Sequence, residues 1–189
     1  MQCACPTLLH GTWVASLARV STNDQTKLDE LLEGVRIGML TTIAADGSLH
    51  ARPMALQRSA SDEDALWFIT GLDSDKARES EADDHVNVSI AKGDDRWVSI
   101  SGTARVVRDQ ARLEEFWSPF AEAWFPNGPS DPNVGLLRVR PRTAEYWESN
   151  SPKPLRMLQM ARATVTKQPP SDLGTSGTLS LTDESSARP

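Results

Sequence analysis

The stretch FITGLDSDKA, residues 68–77, gathers the side chains of this chain best suited to holding an anion. An apolar run, Trp67-Phe68-Ile69, stops at Thr70-Gly71 and gives way to Asp73, Ser74, Asp75 and Lys76. A helix starting near Ser74 leaves its first backbone N–H groups without intrahelical acceptors and carries a partial positive charge at that end. With the Thr70 and Ser74 hydroxyls and the Lys76 ammonium, that end has the donors a phosphate needs. The same residues also describe an ordinary strand end followed by a Ser- or Asp-capped, solvated helix. Asp73 and Asp75 would repel a phosphate if they turned inward. Composition alone leaves both readings standing.

No other spacing supports a familiar reaction. The chain has no Gly-x-Ser-x-Gly elbow, no Walker loop, no His-Glu-x-x-His and no Gly-x-Gly-x-x-Gly. His10, His50 and His85 are scattered, and Cys3 and Cys5 sit together near the start, so no nucleophile–base pair emerges. Cys-x-Cys closes too tight a loop for normal disulfide geometry, and with only His10 nearby it does not make up a metal site. No catalytic residue and no metal ligand are therefore named. A net charge of −6 and a pI near 5.1 speak against a nucleic-acid partner, which needs a basic footprint. No run approaches the ~20 apolar residues of a membrane helix. Segment 6–18, PTLLHGTWVASLA, follows no Lys or Arg and is interrupted by Gly-Thr, so it reads as an extension and not a signal peptide. A body free of cysteine suits a reducing cytoplasm, the location expected here.

The elements that would position these residues follow from periodicity. Leu28, Leu31, Leu32 and Val35 share one face of a helix over 22–35, with Asp24, Lys27, Asp29 and Glu30 on the other; Ser21-x-x-Asp24 resembles a capping box. The period then changes to that of strands. RIGMLTTIA (36–44), the turn ADGS and LHARPMALQ (49–57) read as a hairpin, and Pro53 places the return strand at an edge, a bulge or a bend. ALWFITG (65–71) is a short third strand. SDKARESEADD (74–84) is helix-prone but so polar that it should lie on the surface with little packing. HVNVSIA (85–91) and RWVSISGTARVV (96–107) alternate, Gly102 offering a bulge. A helix over 109–117 is interrupted at Ser118-Pro119, a further turn carries Phe120 and Trp124, and a Pro/Gly-rich loop leads into a last strand over 136–149. The aromatic stripe Phe116, Trp117, Phe120, Trp124 reads first as dimer or lid packing. Residues 1–21 are expected to be a disordered extension, 22–160 the folded domain, and 161–189 a disordered Ser/Thr/Pro/Gly tail that cannot bury enough to offset ordering. Six or so antiparallel strands with peripheral helices point to a small, mainly β barrel.

The order LTTIAADGSLHARPMAL, LWFITGLDSDKA, RWVSISGTARVV, AEYWES resembles the pyridoxamine 5'-phosphate oxidase-like flavoproteins, and WFPNGPSDPNVGLLRVRPRTAEYW looks most like the branch called general stress protein 26. The resemblance covers residues 22–149. It implies a homodimer of antiparallel split β-barrels, binding FMN (with FAD and riboflavin as alternatives) in clefts at the dimer interface. By position, Arg52, Pro53, Met54 and Ala55 would line the flavin and its phosphate chain, Arg52 supplying a cation. Ile69 and Thr70 would give backbone and hydroxyl contacts, Ser74 and Lys76 would hold the phosphate, and Trp147 would reach the flavin from the partner chain. The function implied is a stress-type flavoprotein, an oxidoreductase of unknown substrate, or else a flavin-binding protein without turnover.

Departures matter too. The oxidases proper carry a basic pair where this chain has Asp75-Lys76, tend to carry Lys at the position of Gln57, and carry a polar flavin-contacting residue at the place of Trp97. After Trp147 they carry an Arg and His cluster, whereas ESNSPKPLRML offers only Lys153 and Arg156. The phosphate hold should be weaker than in the oxidases, and pyridoxine-phosphate oxidation is not expected.

Overall fold

The structure, a computed structural model, describes residues 22–93, 95–149 and 174–181. The extension 1–21, most of the tail, and Cys3, Cys5, His10, Lys153 and Arg156 lie outside the described residues. The elements run α1 (Thr22–Leu32), β1 (Ile37–Ile43), β2 (Leu49–Ala55), β3 (Gln57–Ser59), β4 (Asp62–Gly71), α2 (Asp75–Ala82), β5 (His85–Lys92), β6 (Arg96–Val107), α3 (Gln110–Phe116), α4 (Pro119–Trp124), β7 (Val134–Glu148) and β8 (Thr175–Ser180). One sheet has the strand order β2-β1-β5-β6-β7-β4-β3, every pair antiparallel. The long strand β7 pairs with β6 throughout. Its other edge is shared, Val134–Val139 pairing with β4 and Thr143–Glu148 with β8.

Alternation explains why the sheet curls around one interior. Leu40 on β1, Val86, Val88 and Ile90 on β5, Val98, Ile100 and Ala104 on β6, Leu137, Val139 and Ala144 on β7, and Leu66 and Phe68 on β4 all point into one buried cluster. The predicted apolar stripe of α1 closes it, with Leu28, Leu31 and Leu32 almost fully buried. Each such leucine contributes about 1.5–3 kcal/mol. At Gly102 the β6–β7 register shifts, and a Cβ there would lie 2.2 Å from Arg140 O. The bulge therefore rests on the close approach of two backbones, as the sequence suggested. A second, smaller cluster forms on the reverse side of β4 and β7, where Trp67 and Leu136 meet Leu113 and Phe116 of α3.

β2 is an edge strand, so the missing N–H of Pro53 costs no ladder bond. The predicted return strand over 49–57 divides at Leu56: its N–H still donates to Arg36 O at 2.9 Å, in register with the β1–β2 ladder, and β3 starts beyond it. Two expectations need correction. The helix over 74–84 is not merely superficial: α2 buries Ala77 and Ser80 completely or nearly so, small residues letting it seat against β1 and β6. The tail is not wholly without structure either. Its composition hid two leucines at strand spacing, and Leu179 and Leu181 enter the main core. β8 gains a full ladder on β7, and the Tyr146 ring lies over Gly177, where a Cβ would come within 2.9 Å of it. The Ser180 N–H also donates to Asp24 of α1 at 3.2 Å. Among the described residues, no helix is long and apolar enough to cross a membrane.

Candidate functional site

A groove of about 360 Å³ runs between the edge strand β2 and helix α4. Its floor is Ile37, Pro53, Met54, Ala55 and Ile69; its far wall is Ser118, Phe120, Ala121, Trp124 and Phe125. Arg52 and Lys76 stand in the lining with Gln57. The edge position of β2 opens this groove, because among the described residues no further strand covers Pro53 or Ala55. Volume and lining suit a small molecule with an apolar body and an anionic end.

The charges are arranged around α2. Ser74 holds the N-cap position in extended backbone, and the Ala77 and Arg78 N–H groups turn back to Ser74 O at 3.1 and 3.2 Å. The amides of Asp75 and Lys76 thus have no intrahelical acceptor. Lys76 makes no hydrogen bond or ion pair among the described residues, and it is only partly exposed. Burial, and next the positive charge of Arg52, hold its pKa below the ordinary lysine value. Arg52 is committed elsewhere. It donates to Thr42 Oγ1 and, through Nη2, to Glu79 Oε2 at 3.0 Å. Glu79 also accepts from Thr42 and stands 2.7 Å from His50 Nδ1, its side chain 10% exposed. Burial alone would raise the Glu79 pKa, but hydrogen bonds from Thr42, His50 and Arg52 outweigh it and hold the carboxyl below its usual range. Asp75 turns outward to Arg78, which also donates to Asp73 O.

Six of the nine residues selected from the sequence therefore share one groove: Arg52, Pro53, Met54, Ala55, Ile69 and Lys76. Thr70 and Ser74 stand behind it. Thr70 is fully buried, its Oγ1 lies 3.2 Å from Ser74 Oγ, and Ser74 Oγ donates to Gly71 O at 2.6 Å. Both hydroxyls fix the turn from β4 into α2. Trp147 lies apart, opposite Trp97 on the outer face of the sheet. That face also exposes Met39 and Ile37, the latter continuing into the groove floor.

Glu79, Phe120, Trp124 and Phe125 are site residues that the sequence reading did not select. The aromatic stripe divides at Pro119: Phe116 packs beneath Trp67, with ring centroids 6.1 Å apart, while Phe120 and Trp124 face the groove. The Ser-Pro break was the available signal, since it re-aims whatever follows it. Glu79 carried no signal, being one of several acids on a polar helix.

A larger hollow of about 570 Å³, lined by residues 80–85 and 104–106, is less suited to an anion. Asp83 and Asp84 sit there beside His85, whose Nδ1 lies 2.8 Å from Asp83, and these side chains are exposed and bonded to one another.

Residues 23–171 match the family described as pyridoxamine 5'-phosphate oxidase like. Protein bli-3 of Neurospora crassa is 32% identical over 154 residues, spanning 75% of this chain and 73% of its own length. Among solved structures, the general stress FMN/FAD binding protein of the phytopathogen Xanthomonas citri shares 32% identity at a TM-score of 0.59, over 69% of this chain and 92% of that one. A protein assigned to general stress protein 26 from Jannaschia sp. CCS1 shares 30% identity at a TM-score of 0.65, over 84% of this chain and 98% of that one. The curled antiparallel sheet is the split β-barrel expected from the sequence.

Proposed function

Because the chain belongs to the pyridoxamine 5'-phosphate oxidase-like family, we propose that its β2–α4 groove binds a flavin, FMN in the first place. The observation that carries this reading is Lys76, a partly covered cation without an ion pair among the described residues, at a groove whose body is apolar. Lys76, the free amides at the start of α2 and the second face of the Arg52 guanidinium would hold the phosphate. Pro53, Met54, Ala55 and Ile69 would lie along the ring and keep water from it. Bound there, FMN supplies hydride and single-electron chemistry.

The activity proposed is that of an oxidoreductase acting on a small molecule. The same reading includes a homodimer, with the second copy seated on the outer face that exposes Trp97 and Trp147, 43% and 45% accessible. It also includes a cytoplasmic location, which cell fractionation checks. Purified protein should carry or take up FMN, visible as flavin absorbance with quenched fluorescence and identified by the mass of the extracted cofactor. A colourless protein that leaves FMN fluorescence unchanged refutes the reading. Light scattering that gives a monomer mass refutes the dimer alone.

A second reading, flavin binding without turnover, is favoured by the groove's lining. Among its described residues only Arg52 and Lys76 are ionisable, and this reading assigns both to the phosphate, which leaves no other general acid or base in the lining. Oxidation of NADH or NADPH by the loaded protein well above the rate with free FMN decides against this version.

A further inference from the structure

Two large aromatic side chains on α4 stand exposed beside an apolar groove. Phe120 is 55% and Trp124 71% accessible, and their ring centroids lie 6.5 Å apart at an interplanar angle of 57°. The helix beneath them is held firmly. Pro119 occupies its first turn, Ser118 Oγ accepts from the Ala121 N–H at 3.3 Å, and Ala121 is buried. Behind it, Trp117 packs on Phe125 with centroids 6.3 Å apart, so the packing of this segment is satisfied without Phe120 or Trp124. The rest of the apolar lining, on the strands, includes Ile37, Pro53, Ala55 and Ile69, which carry neither charge nor aromatic ring. The groove thus offers a planar ligand an aliphatic floor on one side and an aromatic wall on the other, with the cations as a separate feature.

Resting on the flavin reading above, we propose that Phe120 and Trp124 form a ring-binding wall that stacks on the ligand's planar ring system, while Lys76 and Arg52 hold only its anionic end. Offset or tilted stacking on an indole adds attraction beyond area burial. Binding of the ring and of the phosphate are therefore separable contributions, assigned to different elements of the fold. Unlike the positions on β2 and β4, this wall sits on a short helix following a proline, so its residue types set which ring the groove prefers.

The test uses the full chain and two probes, FMN and lumiflavin, the latter having the ring without the phosphate. Affinities come from flavin fluorescence quenching, with circular dichroism to confirm that each variant is folded. Trp124→Ala should weaken both probes by about three- to tenfold, and Phe120→Ala by a smaller factor. Trp124→Phe should recover most of the loss. Lys76→Ala should weaken FMN and leave lumiflavin unchanged. Trp124→Ala and Phe120→Ala binding both probes like the wild type would overturn the wall while the flavin reading stands. So would a Trp124 signal, taken as wild-type indole fluorescence minus that of Trp124→Phe, that responds to protein concentration and not to flavin, since that ring would then be buried against a second copy. A wild-type protein that binds neither probe overturns the flavin reading and the wall with it.

Discussion

Replacing Glu79 with glutamine separates what holds the fold from what holds the ligand. In the structure its carboxylate takes hydrogen bonds from Thr42, His50 and Arg52, the last at 3.0 Å, and only 10% of the side chain is exposed. Glutamine keeps the shape but loses the charge and one acceptor, leaving Arg52 facing an amide. Charge-assisted hydrogen bonds contribute about 1.5–3 kcal/mol each, and Arg52 remains partly open to water, so a loss of about 2 kcal/mol is expected on unfolding in urea. Ligand affinity should move the other way. A phosphate on the free face of Arg52 would lie about two hydrogen-bond lengths from the Glu79 charge, ~6 Å. Removing that repulsion, at an effective dielectric between bulk water and a protein surface, is worth roughly 1 kcal/mol, or about fivefold in affinity. FMN should therefore bind more tightly to a less stable protein, with lumiflavin unchanged. The pH dependence shifts as well. Because the folded pKa of Glu79 is lowered, its contribution to stability is present above the ordinary carboxylate range and is lost as pH falls through the folded value. Glu79→Gln should flatten that acid limb. An FMN affinity that stays the same or falls together with stability refutes the idea that Glu79 competes with the phosphate for Arg52.

Three further outcomes follow from the same geometry. The lowered Lys76 pKa means that this side chain loses its charge before a free lysine does, so FMN affinity relative to lumiflavin should fall as pH rises toward the ordinary lysine value. Lys76→Arg should carry the affinity to higher pH; a ratio flat across that range removes Lys76 from the phosphate grip. Leu179→Ala should cost about 2–3 kcal/mol in urea unfolding, the low end for a buried leucine because, among the described residues, β8 pairs on one side only. A cost under about 0.5 kcal/mol, the size of an ordinary surface substitution, would show that β8 is not docked. Gly102→Ala drives a Cβ to 2.2 Å from Arg140 O, a backbone atom that cannot swing aside, and should cost about 3 kcal/mol or leave the protein insoluble. An unchanged melting temperature would mean that the bulge can open.

Strand alternation, the Asp-Gly turn, Pro53 at an edge and Gly102 at a bulge were legible because each is a local rule with one structural outcome. β8 was not, since Ser/Thr/Gly composition says nothing of a place on β7 that opens only once β4 has turned away from it. The groove was legible by halves. Its floor lies on strands whose residues alternate predictably, but its wall depends on how the chain is re-aimed at Pro119, which is a tertiary fact.

The electrostatics show most clearly where sequence stops. Arg52, Lys76 and Arg78 are three cations near the start of α2, facing Asp73, Asp75 and Glu79, and from composition the local sum is zero. Pairing decides what that sum means. Arg78 turns to Asp75 on the solvent side, so the acid that stands where the oxidases carry a cation is paired there, although its charge still reaches Lys76. Arg52 is drawn inward by the largely covered Glu79, and of the three Lys76 alone has no ion pair among the described residues. An anion arriving at this groove thus meets one uncommitted charge, one shared charge and the open amides of a helix. Through Arg52, such an anion would compete with Glu79, a residue it never touches, whereas Asp75 acts on it only across Lys76. The comparison of Glu79→Gln with Asp75→Arg should bear this out, the first raising FMN affinity more than the second. The reverse order would return the weak point of the grip to Asp75.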